Sequence, residues 1–278
     1  MRLALVGCGL VGGSFALALR EAGAIASAAG HDADPAAADR AIARGIVDET
    51  GALGAIVAAA DVVVIAVPVR AIPDTLAAVA AAARPGTLVT DVGSTKGAIV
   101  RAADRLTGIR FVGAHPLAGT ERAGPDAADG QLFRGRKVLL TPTAGTDGAA
   151  KSEVARLWRA AGARVAELDA DEHDRLLAAV SHLPHVVAYA LAAALGPSVD
   201  ALAGLAGGGF TDTTRIASTP PAMWLDVFVE NRDAVLAWVD AYLAEMVRWR
   251  EAIAAGDVPT MTERIAAARA ARAGILGA

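Results

Sequence analysis

The sequence predicts two domains, an α/β domain with a doubly wound, mainly parallel sheet over residues 1–168 and an all-α domain over residues 169–278. Three observations support this prediction. Short apolar runs alternate with helix-like segments in the first part of the chain, as in a parallel sheet with helical crossovers. Val62–Val67 is apolar throughout, as expected of a strand buried on both faces. After Leu168 only helix-like stretches follow, so the boundary is expected there.

Local patterns define the individual elements. Gly23 is a stop signal after the first helix, Pro35 suits the first turn of a helix, and Pro68 ends the clearest strand. The predicted strands are Leu3–Val6, Ala26–Gly30, Val62–Val67, Thr87–Asp91, Arg110–Gly113, Lys137–Thr141 and Arg164–Leu168. The predicted helices are Gly13–Ala22, Pro35–Arg44, Ser152–Ala161, Asp169–Leu195 with an interruption at Pro184, Leu225–Glu251 and Thr260–Gly274.

Composition narrows the class of protein. With 54% apolar residues the chain can build a large core, and its net charge of −4 argues against a nucleic-acid binder. The single cysteine, Cys8, excludes an internal disulfide framework and fits a reducing cytoplasm. Two apolar segments are not expected to cross a membrane. Met1–Leu19 is broken by four glycines, and Ala178–Val199 contains two histidines and two prolines.

The segment Gly7–Ser14 contains the pattern G-x-G-x-x-G between a predicted strand and a predicted helix, which is the context of a dinucleotide-binding Rossmann domain. In that fold Gly7 allows the tight turn, Gly9 lets the backbone approach a pyrophosphate, and Gly12 permits close packing of helix on strand. Further cofactor contacts are expected at Leu10, Val11, Val67 and Pro68.

An acidic residue at the end of the second strand would bind the ribose hydroxyls of the cofactor. Asp32 lies 20 residues after Gly12, close to the expected spacing. Asp34 follows, and no arginine comes directly after Asp32. A 2′-phosphate would therefore meet two carboxylates, so NAD is expected rather than NADP.

Three histidines are candidates for chemistry. His115 follows the predicted strand Arg110–Gly113, and residues beyond the carboxyl end of a strand line the ligand crevice of such a sheet. A histidine there can act as a general base near neutral pH, although a histidine before proline can also be structural. His182 and His185 are three apart and share a helical face. Without supporting Cys or acidic ligands no metal site is predicted, which leaves a core pair or a ring turned into a cleft by Pro184.

Three polar residues could bind an anionic substrate. Arg215 can hold a carboxylate with a bidentate fork, or can simply pair with a neighbouring aspartate at the surface. Ser94 follows the strand Thr87–Asp91 and faces the same crevice, where its hydroxyl could bind substrate or nicotinamide. Lys96 could bind an anion or be solvated. The glycine run Gly207–Gly209 is expected to form a functional loop before Arg215.

The motifs together resemble those of prephenate/arogenate (cyclohexadienyl) dehydrogenases, and the resemblance extends from the first strand to about Asn231. The His-Pro and Ser-His-Leu-Pro-His strings are more specific than the glycine motif. The matching strings are GCGLVGGS at Gly7–Ser14, DVGSTK at Asp91–Lys96, HPLAGTE at His115–Glu121, SHLPH at Ser181–His185 and GFTDTTRIA at Gly209–Ala217.

This resemblance implies NAD-dependent oxidative decarboxylation of prephenate to 4-hydroxyphenylpyruvate in tyrosine biosynthesis. The alternatives are oxidation of arogenate to tyrosine, or activity on both substrates. By the same resemblance His115 takes the proton of the substrate hydroxyl, Ser94 orients that hydroxyl and His115, and Arg215 holds a carboxylate. The remaining substrate contacts that it implies are His185, His182, Thr120, Glu121 and Trp224. No metal is required.

The resemblance also implies a homodimer formed through the helical domain, with the helices around Val186–Leu195 and Leu225–Glu251 at or near the interface. Two other functions fit the domain order. One is a Rossmann dehydrogenase of the β-hydroxyacid or imine-reducing type, and the other is a non-catalytic NAD sensor. The combination of His115, His185 and Arg215 argues against both.

Overall fold

The computed structural model describes residues 1–120 and 122–277. Residues 1–232 form one compact unit, and a second unit begins at Asp233. The last strand ends at Glu167, and every later element among the described residues is helical. The division near Leu168 was drawn on this change from strands to helices, and as a domain boundary it stays a prediction.

One sheet of eight strands occupies the first unit, in the order β3-β2-β1-β4-β5-β6-β7-β8. All neighbouring strands are parallel except β6 and β7, which are antiparallel. The doubly wound, mainly parallel sheet is therefore confirmed. The strands are β1 Arg2–Val6, β2 Ser27–His31, β3 Glu49–Thr50, β4 Val62–Ile65, β5 Thr87–Asp91, β6 Ile109–Pro116, β7 Lys137–Thr141 and β8 Arg164–Glu167.

Thirteen α-helices are present among the described residues. Six accompany the strands: α1 Leu10–Glu21, α2 Pro35–Ala43, α3 Leu53–Ala58, α4 Ile72–Ala82, α5 Gly97–Ala103 and α6 Gly148–Ala160. Seven follow the last strand: α7 Ala170–Leu177, α8 Leu183–Leu195, α9 Val199–Leu202, α10 Gly208–Thr214, α11 Pro221–Glu230, α12 Arg232–Ala255 and α13 Val258–Leu276. Helices α1 and α6 contribute to one buried apolar cluster, and α3, α4 and α5 contribute to another, so helices lie on both faces of the sheet.

Both faces of the sheet are covered by apolar residues. In β1, Leu3 and Leu5 belong to the larger core cluster, whereas Ala4 and Val6 belong to a second cluster on the opposite face. This alternation follows from the two-residue period of a strand. It explains why strands such as β4 are apolar at every position.

Two predicted boundaries differ from the structure in ways that affect the site. Helix α1 begins at Leu10 rather than Gly13, directly after Gly9. Strand β6 continues to Pro116 rather than ending at Gly113, because its last four residues pair with the antiparallel strand β7 after pairing with β5 has stopped at Val112. His115 therefore lies within a strand and not in a loop after it.

The predicted helix Asp169–Leu195 is divided by a π-helical segment, Ala178–His182, between α7 and α8. Pro184 lies in the first turn of α8, and because proline has no N–H it cannot complete the ordinary helical ladder there. π-helical turns often occur at functional sites. By length and composition alone, the helical stretch Ala170–Leu202 could cross a membrane, a test that core helices of soluble proteins also pass.

The glycine run predicted to be a loop opens helix α10, with Gly207 as its N-cap. The predicted helix Leu225–Glu251 is two helices, α11 and α12, separated at Asn231. In the second unit, Asp257 caps α13 by accepting the Thr260 N–H at 3.1 Å. Apolar side chains are exposed along its helices, among them Leu243, Val247, Ile253 and Ile265.

Candidate active site

The glycine-rich turn between β1 and α1 fits a dinucleotide. Gly7 has a φ of +93°, and a Cβ there would lie 2.5 Å from the carbonyl oxygen of Ala66. A Cβ on Gly12 would lie 2.6 Å from the carbonyl oxygen of Gly7, whereas the space around Gly9 is open. Helix α1 starts immediately after Gly9 without a side-chain cap, so its first N–H groups are left for an anion.

Asp32 is fixed at the carboxyl end of β2. Its carboxylate accepts the backbone N–H of Cys8 at 2.8 Å and that of Asp34 at 2.9 Å. The first bond ties the acidic residue to the glycine-rich turn. Of the other predicted cofactor contacts, Val11 and Val67 are half-buried, Pro68 is exposed and the side chain of Leu10 is largely buried.

Asp91 and Lys96 bond to the backbone of β6 next to His115, beyond the point where its pairing with β5 ends. Where β5 ends, the N–H of Ala114 donates to Asp91 Oδ1 at 3.1 Å, and the Lys96 ammonium donates to the carbonyl oxygen of Ala114 at 2.9 Å. Lys96 also pairs with Asp91, and both side chains are fully buried. The ammonium is thus neither solvated nor available to an anion, contrary to both expectations for Lys96. The pair holds the backbone next to His115 in place.

His115 is half-buried, and its Nδ1 lies 2.9 Å from Nε2 of His173. In turn, Nδ1 of His173 lies 2.9 Å from the Asp174 carboxylate. The pKa of His115 is held well below 6.5, first by burial and then by the neighbouring His173, Lys96 and His182. His115 is consequently neutral near pH 7, as a general base must be.

His182 and Asn231 extend this cluster. The Asn231 amide donates to the carbonyl oxygen of Asp174 at 2.7 Å and lies 3.2 Å from Nδ1 of His182. Burial lowers the pKa of His182 to about 4. His182 is almost completely buried, so its side chain is part of the packing beneath the site.

His185 and Trp224 form the adjoining wall. Nδ1 of His185 donates to the carbonyl oxygen of Ser181 at 2.9 Å. The pKa of His185 is lowered mainly by burial, and the nearby positive charge of Arg215 lowers it further. The indole N–H of Trp224 is buried and has no hydrogen-bond partner among the described residues.

The remaining predicted residues are less enclosed. Ser94 is half-buried in the loop between β5 and α5. Thr120 is exposed and accepts the Arg122 N–H at 3.2 Å. Glu121 lies outside the described residues. Arg215 is exposed at the start of a 3₁₀ turn, Arg215–Ser218.

Sequence reasoning missed His173, Asp174 and Asn231 as members of the site. One signal for His173 was present, because Ala170, His173 and Leu177 recur at helical spacing and form the buried face of α7. A histidine on an otherwise apolar face needs a polar partner. No comparable signal marks Asp174 or Asn231, whose roles depend on elements distant in the sequence.

The Rossmann-type sheet, the dinucleotide turn and a neutral, half-buried histidine define a nucleotide-dependent oxidoreductase. Residues 15–167 match the family described as prephenate dehydrogenase, nucleotide-binding domain, and residues 169–267 match prephenate dehydrogenase, dimerization domain. The chain belongs to the prephenate dehydrogenase family.

Individual relatives agree with this assignment. Cyclohexadienyl dehydrogenase of Zymomonas mobilis is 35% identical over 97% of this chain and 94% of its own length. The structure of prephenate dehydrogenase from A. aeolicus, in complex with hydroxyphenyl propionate and NAD⁺, has a TM-score of 0.92 at 34% identity, covering 99% of this chain and 98% of that one. Synechocystis arogenate dehydrogenase has a TM-score of 0.85 at 29% identity, covering 99% and 100%.

Proposed function

We propose that this enzyme catalyses the NAD-dependent oxidative decarboxylation of prephenate to 4-hydroxyphenylpyruvate, a step of tyrosine biosynthesis. The observation that carries the proposal is His115, a neutral histidine whose Nδ1 is engaged by His173 and whose other ring nitrogen, Nε2, has no hydrogen-bond partner among the described residues. Membership of the prephenate dehydrogenase family supports the substrate class.

The dinucleotide would be held by the turn at Gly7, Gly9 and Gly12, by the N–H groups at the start of α1 and by Asp32. Leu10, Val11, Val67 and Pro68 are proposed to lie along it. When bound, the nicotinamide accepts a hydride from the ring carbon that bears the hydroxyl. Asp32 and Asp34 would repel a 2′-phosphate, which favours NAD over NADP.

His115 would accept the hydroxyl proton at Nε2 as the carbonyl character of that ring carbon develops. The ring carboxylate leaves as carbon dioxide, and its bonding electrons complete the aromatic ring. The phenol oxygen then recovers the proton from His115, so the substrate's hydroxyl proton is held only transiently. Ser94 is proposed to orient the hydroxyl against His115.

The other substrate groups would be bound on the wall formed by His185 and Trp224. Arg215 carries the positive charge near His185 and is proposed to hold a substrate carboxylate. The unpartnered indole N–H of Trp224 is a donor that the substrate can satisfy. His182, Thr120 and Glu121 are weaker candidates for contact.

Arogenate is the second candidate substrate, and activity on both substrates is the third possibility. Arogenate carries an ammonium in place of the keto group of the prephenate side chain. Neutral His185 donates from Nδ1 to Ser181, so its Nε2 can only accept, and an ammonium is a donor that could use it. The Synechocystis relative, an arogenate dehydrogenase, keeps this alternative in view.

The test is the appearance of NADH absorbance with purified protein, NAD or NADP, and either prephenate or arogenate. We expect rapid reduction of NAD with prephenate and its loss in His115→Ala. A large preference for arogenate in kcat/KM would move the assignment to the second candidate. Absence of turnover with all four combinations would refute the proposed activity.

We further propose that residues 169–278 act as a substrate-binding and dimerisation domain, that the enzyme is a homodimer and that it works in the cytoplasm. The description of the matched C-terminal family as a dimerization domain supports the second point. Exposed apolar side chains on the helices after Leu168 also support it, among them Leu191, Leu195, Leu225, Val229 and Leu236.

A further inference from the structure

We propose that His173, held by Asp174, is a positioning residue for the base His115. It accepts a hydrogen bond from Nδ1–H of His115 and thereby keeps the lone pair of His115 on Nε2, where the substrate hydroxyl is deprotonated. The inference rests on the proposed function, in which His115 is the base. It assigns the protons along the row Asp174, His173 and His115.

The assignment begins at Asp174, whose carboxylate can only accept when ionised. It accepts the backbone N–H groups of Lys96 and Gly97, each at 2.8 Å. Burial raises the pKa of Asp174, but the hydrogen bonds from His173 and from these two N–H groups outweigh it, and the net shift is downward. Asp174 is therefore ionised at neutral pH.

The next step is the orientation of His173, which is completely buried. Its Nδ1 faces the Asp174 carboxylate at 2.9 Å and must donate. A neutral imidazole has one N–H, so Nε2 of His173 then carries a lone pair. His115 Nδ1 lies 2.9 Å from that lone pair and must donate to it. The proton of neutral His115 is thus on Nδ1, and the basic lone pair is on Nε2.

A doubly protonated His173 would reverse the last hydrogen bond and leave His115 with its proton on Nε2, the form unable to accept a proton from substrate. The buried ammonium of Lys96 is close enough to His115 to depress its pKa and opposes a further positive charge in the cluster. The two ring nitrogens lie 2.9 Å apart, which is a hydrogen-bond distance, so a hydrogen bond joins the two rings.

This arrangement also serves the transient imidazolium. When Nε2 of His115 accepts the hydroxyl proton, the positive charge is shared through Nδ1–H and His173 with the Asp174 carboxylate. Nothing needs to leave the protein by this route, because the phenol oxygen recovers the proton from Nε2. The pair therefore fixes which nitrogen reacts and lowers the cost of charging it.

The first experiment reads the protons directly. Full-length enzyme labelled with ¹⁵N-histidine contains five histidines, which single substitutions can assign. Long-range ¹⁵N–¹H correlation spectra are expected to show neutral His115 and His173 both protonated on Nδ1. A spectrum with the His115 proton on Nε2 would overturn the inference. This readout does not depend on turnover, so it stands apart from the proposed activity.

The second experiment separates positioning from packing. His173→Gln keeps an oxygen that can accept from His115, whereas His173→Leu removes every acceptor. We expect His173→Leu to lower kcat about 10²-fold with KM nearly unchanged, and His173→Gln to recover at least about tenfold of that loss. Glu172→Gln, at a half-buried position on the same helix where the carboxylate pairs with Arg175, is the matched control and should retain wild-type kinetics.

If the leucine variant does not fold, Asp174→Asn takes its place. The oxygen of Asp174 that faces His173 Nδ1 also accepts the Lys96 N–H, so the asparagine oxygen should take this position and keep the His115 proton on Nδ1 in the same NMR spectrum. The lost carboxylate charge should lower kcat, because it no longer stabilises the imidazolium of His115, and a wild-type kcat in this variant would contradict the role of the pair. Equal kcat for the wild type, His173→Gln and His173→Leu would contradict the positioning role. The expected spectrum in an enzyme that does not oxidise prephenate would refute the proposed activity alone.

Discussion

The imidazole ring of His185 is stacked on the indole ring of Trp224, with centroids 3.4 Å apart and planes 27° apart. His185 comes from α8 just after the π-helical segment, and Trp224 comes from α11, 39 positions later in the sequence. The stack fixes both rings, and the Nδ1 bond of His185 to Ser181 fixes the direction of its Nε2. The two rings are thus held in one arrangement, as the proposed substrate wall requires.

Replacement of Trp224 separates stacking from hydrogen bonding. Trp224→Phe keeps an aromatic face for His185 but removes the buried indole N–H. We expect KM for the cyclohexadienyl substrate to rise about three- to tenfold with a small change in kcat, because about one hydrogen bond to the substrate is lost. Trp224→Leu removes the stack as well and should raise KM further. Initial rates measure both variants, and equal KM in wild type and Trp224→Phe would show that the N–H does not meet substrate.

Loss of the base should affect kcat far more than binding. We expect His115→Gln to lower kcat by about 10²- to 10⁴-fold, while the dissociation constant for NAD, measured by fluorescence titration, stays near the wild-type value. In the wild type, kcat/KM should hold as pH falls through 6.5, since the pKa of His115 lies well below that value. A wild-type acid limb centred at or above 6.5 would contradict the assignment.

Arg215 should act on binding. Hydrogen bonds to a charged group contribute about 1.5–3 kcal/mol, so Arg215→Gln should raise KM about 10- to 100-fold. Arg215→Lys keeps the charge but loses the bidentate fork, so its KM should lie between those of the wild type and Arg215→Gln. Arg156→Gln removes an exposed arginine of α6 that pairs with Glu153, and its KM should match the wild type. An unchanged KM in Arg215→Gln would remove this residue from the substrate site.

The buried Asp91–Lys96 pair should matter for stability. Lys96→Met leaves the Asp91 carboxylate buried without its cation, which we expect to cost about 3–5 kcal/mol in the free energy of unfolding. The double variant Asp91→Asn/Lys96→Met buries no charge and should recover a large part of that loss. Urea unfolding of the three proteins measures both effects. A single variant as stable as wild type would contradict the expected cost of leaving Asp91 without its cation.

Buried histidines should make the protein less stable in acid. The folded state holds the pKa of His182 at about 4, against 6.5 in an unfolded chain, so between these values the unfolded chain binds the extra proton. Stability therefore falls as pH is lowered from about 6.5 towards 4, and this histidine contributes about 3 kcal/mol of the loss. His182→Asn keeps an acceptor for Asn231 and should make the free energy of unfolding depend less on pH between about 6.5 and 4. Urea unfolding at several pH values measures this dependence, and the same dependence in the variant and the wild type would contradict the prediction.

The features that sequence patterns predicted are local ones. The glycine motif, Asp32 and the strands β1, β4 and β5 depend on neighbouring residues, so short patterns identify them. The end of β6 was misplaced because its last residues pair with β7, and β7 begins 21 residues after Pro116. Helical spacing marks His173 as a buried residue, but its contact with His115 could not be predicted, for the same kind of reason. His173 meets His115 58 residues earlier in the chain, and only the fold brings the two together.

Asp174 forms hydrogen bonds with four residues of the first unit at once. Its carboxylate accepts the N–H groups at the start of α5 and bonds His173, and its carbonyl oxygen accepts the amide of Asn231. The nucleotide-binding segment and the segment after Leu168 are therefore not interchangeable parts. We expect a hybrid of two relatives joined near Leu168 to be active only under one condition. The parent that supplies the second segment must have a histidine and an aspartate that can bond to the first turn of α5 in the other parent.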